Sequence, residues 1–127
     1  MAGAAPTEVR VALSPVPASA GTARRFVVAT LREWDLEELT DTAALLVSEL
    51  VTNAILHARS EVTVAVRALD DRVRVEVADS ADGVPYLRRA TNTATTGRGL
   101  ALVDACSRAW GVEPQPPGKA VWFDLEA

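Results

Sequence analysis

The sequence holds one cysteine, one histidine and one lysine among 127 residues, and aromatic side chains make up only 5% of it. A lone Cys106 cannot close an internal disulfide, which excludes a disulfide-stapled scaffold and makes the cytoplasm the expected compartment. Long hydrophobic runs are missing too. Stretches such as Ala43 to Val47 fall far short of the roughly 20 residues of a membrane-spanning helix, so no span is expected. Glu8 and Arg10 interrupt the Ala- and Pro-containing start before an apolar leader segment can form. Positive charge is not in excess either: 13 basic residues against 17 acidic ones give a net charge of −4, the wrong sign for neutralising nucleic-acid phosphates.

What is present is enough apolar material for a core, 49% hydrophobic against 24% charged, in a length that suits one domain over residues 1–127, with 1–7 frayed. Val9, Val11 and Leu13 alternate with polar or small residues, the pattern of a short half-buried strand. From Ser19 as N-cap to about Glu33, Ala23, Phe26, Val27, Thr30 and Leu31 recur at helical spacing opposite Arg24, Arg25 and Arg32. After an acidic connection, Thr40 and Asp41 read as caps of a longer helix to about Ala58.

The period then changes to two. Val62, Val64 and Val66, a turn at Asp70 and Asp71, and Val73, Val75 and Val77 predict a hairpin with one wet face. Residues 80–97 lose periodicity and predict a long loop, of the kind that is a functional lid or disordered. Leu100, Val103, Cys106 and Trp110 predict a third helix stopping at Gly111 and burying Cys106 as an inert thiol. A Pro-rich turn follows, then a closing strand through Val121, Phe123 and Leu125. The expected fold is α+β, a two-layer sandwich of a mixed, mostly antiparallel sheet with about three helices on one face.

Three short segments carry candidate chemistry. Glu49, Asn53 and His57, four apart, form a ridge along the border of the second helix's apolar arc. Burying a carboxylate, an amide and an imidazole in a row is costly without partners, which a ligand with its metal would supply; a solvated helix edge with a capping His is the plain alternative. Asp79 ends a strand four residues before Gly83, where a carboxylate can accept from a planar amino group such as adenine N6, or simply start an Asp and Gly turn. Thr96-Gly97-Arg98-Gly99-Leu100 opens the third helix, where backbone N–H groups beside two glycines suit an anion, although Arg98 read alone is a loop cation.

The words Glu49-Leu50-Val51-Thr52-Asn53-Ala54-Ile55-Leu56-His57-Ala58, Asp79 to Gly83 and Gly97-Arg98-Gly99-Leu100, in that order, resemble the N, G1 and G2 boxes of the GHKL (Bergerat) ATP-binding superfamily. Within it the chain looks like the small anti-sigma-factor serine/threonine kinases and the related regulators of actinomycetes, from the first helix through Gly118-Lys119-Ala120-Val121-Trp122-Phe123. The resemblance implies ATP and Mg²⁺ as cofactors, Asn53 as the metal ligand and Glu49 as the base that takes the proton of a substrate hydroxyl. It implies that Asp79 holds adenine over Gly83, with Pro85 beside it, and that Thr96, Gly97, Arg98, Gly99 and Leu100 line the phosphates. His57 would touch the nucleotide or act through a neighbouring ligand, and Arg88 and Arg89 would sit in an ATP lid over residues 84–97. The pattern departs at Ala81, where the superfamily has the first glycine of Asp-x-Gly-x-Gly, and at Ala120, where relatives often carry Thr.

The activity so implied is phosphorylation of an anti-anti-sigma (STAS) protein, with sequestration of a sigma factor, regulating transcription by partner switching, and often as a homodimer. The competing expectations are a catalytically silent ATP-gated binding module and an interaction protein with an empty pocket. A histidine kinase fragment fits less well, because no phosphoacceptor helix pair precedes the domain and the only histidine lies in the nucleotide helix itself.

Overall fold

The computed structural model describes residues 7–80 and 94–127, the side chains of 94–99 excepted. In chain order these form β1 (Glu8–Leu13), α1 (Ala18–Glu33), a 3-10 turn (Glu37–Leu39), α2 (Thr40–His57), β2 (Val62–Ala68), β3 (Arg72–Asp79), α3 (Ala94–Cys106), β4 (Ala109–Gln115) and β5 (Gly118–Glu126). The sheet order is β1-β2-β3-β5-β4. Every pairing is antiparallel, so the expected mixed sheet is corrected to a uniformly antiparallel one. The α+β two-layer architecture with helices on one face is as expected.

Register explains the two faces. Val64 stands opposite Val11 and Val77, Val66 opposite Val9 and Val75, and Val75 opposite Phe123, so one parity of each strand builds a continuous apolar surface. Against it pack Ala23, Val27 and Leu31 of α1, Leu46, Val47, Leu50 and Val51 of α2 and Val103 of α3, in one cluster. The stretch Glu37–His57 is long and apolar enough, by length and composition, to cross a bilayer, but Leu46, Val47 and Val51 are fully buried in this cluster, which makes it a core helix. The opposite parity keeps the sheet's other face polar, with Arg67, Arg74 and Glu76 around a concavity of about 480 Å³.

Several local expectations are corrected. Pro17, already in helical conformation, precedes α1, and the Ser19 hydroxyl donates to the Ser14 carbonyl rather than capping the helix. The Thr40 hydroxyl likewise donates to the Glu37 carbonyl of the 3-10 turn. The third helix ends at Cys106, and Trp110 and Gly111 belong to the edge strand β4. Gly111 stands opposite Trp122, and a Cβ there would lie 2.8 Å from the indole Cζ2, so the glycine makes room for a ring instead of stopping a helix. Cys106 is exposed, not buried, because α3 has no further turn to cover it.

The long helices end on left-handed residues other than glycine. After α1, Asp35 has φ 64 and the N–H groups of Asp35 and Leu36 reach back to Arg32 and Leu31, the Schellman arrangement. After α2, exposed Arg59 has φ 55. A left-handed Arg costs about 1 kcal/mol that glycine does not. Arg59→Gly should therefore raise stability by about that amount, or a Tm gain of roughly 3–5 °C, measured by thermal melting; an unchanged or lower Tm would show that Arg59 contributes something its backbone strain conceals.

Candidate functional site

The site is organised around α2, which packs against both β3 and α3. Its apolar arc faces the core, and Glu49, Asn53 and His57 follow one another along the border of that arc, as the helical spacing predicts. Glu49 and His57 are half-buried and Asn53 is buried, with 5% of its surface exposed. Glu49 enters no ion pair among the described residues, whereas His57, which closes the helix, is engaged.

Asn53 is the anomaly. Its Oδ1 is fully buried and accepts no hydrogen bond among the described residues. An orphaned amide oxygen costs about 1–3 kcal/mol in a folded interior, and native structures rarely keep one without a use for it. An uncoordinated oxygen is what a hard cation takes as ligand. Among the described residues no group of three His, Cys, Asp or Glu could hold a metal by itself. A Mg²⁺ held mostly by phosphates and water, however, needs only one or two protein oxygens, and Asn53 Oδ1 fits that requirement.

Asp79 is the last residue of β3, and its partner across the sheet is Lys119 of β5. Lys119 Nζ donates to Asp79 Oδ2 at 2.7 Å, with both side chains at most 10% exposed. The neighbouring Gly118 makes this closeness possible. A Cβ there would collide with the Asp79 carbonyl and lie 2.8 Å from its Oδ1. Neither Lys119 nor Gly118 is a site candidate on local sequence pattern. The signal that could have marked Lys119 is its being the chain's only lysine.

The third segment is placed differently from expectation. α3 is under way at Ala94, so Thr96, Gly97, Arg98 and Gly99 lie within its first two turns rather than ahead of it. The N–H groups a helix leaves over belong to its first turn, here ahead of Gly97. Leu100 is half-buried against the core cluster. Gly83 and Pro85, with Ala81, Arg88, Arg89 and the expected lid up to residue 93, lie outside the described residues. Ala120, the other departure from the superfamily pattern, is buried opposite Ala78. The 480 Å³ concavity of the open face includes none of the predicted site residues among those that line it.

Comparison with known proteins places this arrangement. The family model of the histidine kinase-like ATPase domain matches residues 13–125. Among solved structures, the histidine kinase domain from Erythrobacter litoralis EL346 blue-light activated histidine kinase is similar in fold, with a TM-score of 0.57 and 22% identity over 98% of this chain and 70% of that one. No curated protein matches the chain. With all but its ends matched by the family model, and with the five-stranded antiparallel sheet and three helices described above, the chain belongs to the histidine kinase-like ATPase domain family of ATP-binding modules.

Proposed function

We propose that the domain binds Mg-ATP where α2, the end of β3 and α3 meet, and transfers the γ-phosphoryl group to a serine or threonine of a STAS-type anti-anti-sigma protein. In this reading it is a cytoplasmic anti-sigma-factor-like kinase that regulates transcription by exchanging a sigma factor for that protein, and it works as a homodimer. The observation that supports nucleotide binding is the buried Asn53 Oδ1, which accepts no hydrogen bond among the described residues, on the helix that carries Glu49.

The roles are those the family resemblance implies, and the side chains present are of the chemistry they need. Asn53 Oδ1 would be the protein's oxygen ligand, and the bound Mg²⁺ supplies charge neutralisation on the phosphates. Glu49, one turn before Asn53 and unspent in ion pairs among the described residues, would accept the hydroxyl proton as the substrate oxygen bonds to the γ-phosphorus and the bond from that phosphorus to the β,γ-bridging oxygen breaks, releasing ADP. Asp79 would accept from the adenine amino group.

Thermal melting with Mg-ATP, Mg-GTP and EDTA tests the binding. At a ligand concentration 100 times its Kd, Mg-ATP should stabilise the domain by about 2.7 kcal/mol, visible as a Tm rise that EDTA diminishes and Mg-GTP does not reproduce. No shift with Mg-ATP would leave an interaction protein with no nucleotide. A shift without label transfer to any STAS protein would leave a silent ATP-gated module.

A further inference from the structure

A lysine in a chain otherwise supplied with twelve arginines, and only 8% exposed, is an expensive neutraliser for one carboxylate. Strand register brings Lys119 onto Asp79, and the absent side chain of Gly118 keeps the contact at 2.7 Å. A carboxylate only accepts and an ammonium only donates, so the pair sets an acceptor directly beside a compact donor with more than one N–H. Adenine carries the complementary sequence on its Watson–Crick edge, the N6 amino donor beside the N1 acceptor. Hypoxanthine and guanine reverse it, with a carbonyl at position 6 and a proton on N1.

We propose that Lys119 is a base-reading residue, donating from Nζ to adenine N1 while Asp79 accepts from the N6 amino group, so that the buried pair recognises the base as a unit. This rests on the nucleotide reading above and names what gives it its selectivity. Lys119 then stays on Asp79 when the base arrives instead of being displaced by it, and the ion pair remains satisfied in both states.

The test is a set of affinities measured by calorimetry in Mg²⁺, with ATP and with 1-deaza-ATP, in which N1 is replaced by a C–H. The unmodified protein should bind ATP at least about tenfold tighter than 1-deaza-ATP, the size of one hydrogen bond to a charged group. Lys119→Met should bring the two nucleotides to equal affinity, and Lys119→Gln, which keeps an N–H donor, should restore part of the difference. Equal affinities in the unmodified protein would overturn the proposal while leaving ATP binding intact. So would a Lys119→Met protein that still discriminates, because N1 would then be read by another group. Failure of both nucleotides to bind would remove the ATP reading itself. The comparison in the unmodified protein needs no variant to fold, and a Lys119 that merely neutralised Asp79 would not move it.

Discussion

Asn53→Ala should lower Mg-ATP affinity by at least 10–100-fold while leaving the nucleotide-free domain as stable as before, to within about 1 kcal/mol. The two halves of this result have one cause. Outer partners of metal ligands alone are worth about 10–100-fold, so removing a ligand costs no less. Yet Asn53 Oδ1 accepts nothing in the folded chain among the described residues, and deleting an unsatisfied buried acceptor removes a cost along with some packing. An ordinary core amide behaves in the opposite way. Glu49→Gln should separate the steps from the other side, with nucleotide affinity nearly unchanged and phosphotransfer reduced by the 10²–10⁴ typical of a positioned base. Calorimetry with Mg-ATP, thermal melting without it and transfer of labelled phosphate to a STAS substrate read all three quantities. If Asn53→Ala lost 2 kcal/mol or more of apo stability and still bound Mg-ATP normally, Asn53 would be a packing residue. If Glu49→Gln still transferred phosphate, the base would lie elsewhere.

Much of this was legible locally, because the informative patterns are short. Alternating valines at 62–66 and 73–77 can bury one face only as a hairpin, and the four-residue spacing of Glu49, Asn53 and His57 puts them along one helical border whatever surrounds the helix. What was not legible depends on distant chain. Trp110 extends the helical periodicity of Leu100, Val103 and Cys106, and only pairing with β5 claims it for a strand instead. Gly111 reads as a helix stop until Trp122 is seen across from it. Lys119 is 40 residues from Asp79, and the register that joins them is set by the whole β3–β5 ladder rather than by any motif containing either residue. The start of α3 at Ala94 was hidden for another reason: the two glycines at 97 and 99 lower helix propensity by about 1 kcal/mol each and so read as loop, although a helix formed on either side can carry them.

Asp124→Ala should cost about 2–3 kcal/mol, a Tm loss of roughly 10 °C, even though the residue lies on the sheet face away from the proposed site. Its carboxylate is nearly buried, at 4% exposure, and takes a two-pronged contact from Arg74, Nε to Oδ1 at 2.7 Å and Nη2 to Oδ2 at 3.0 Å, with Arg72 Nε at 3.0 Å as a third donor. The Arg74 guanidinium also lies 3.9 Å over the Trp122 ring, so the carboxylate fixes a stacked cation as well as a pair. Full removal of one partner of a buried pair costs about 3–5 kcal/mol. The lower figure applies because Arg72 and Arg74, 33% and 22% exposed, regain part of their hydration. Exposed Asp71, which also pairs with Arg72 and with Arg108, should give no measurable loss on the same substitution. The pH dependence separates charge from shape. Burial pushes the Asp124 carboxyl upward, but the hydrogen bonds and charges of Arg74, then Arg72, outweigh it and hold the group below the usual aspartate range. A lowered folded pKa contributes stability that is complete above the unfolded value and lost as pH falls through the folded one. Asp124→Asn, which keeps the shape, should thus trail the unmodified protein by a constant margin from pH 5 to 8 in urea denaturation and close the gap only below about pH 4. A margin that persisted undiminished at pH 2 would mean that packing, not the ionised carboxylate, holds this face together.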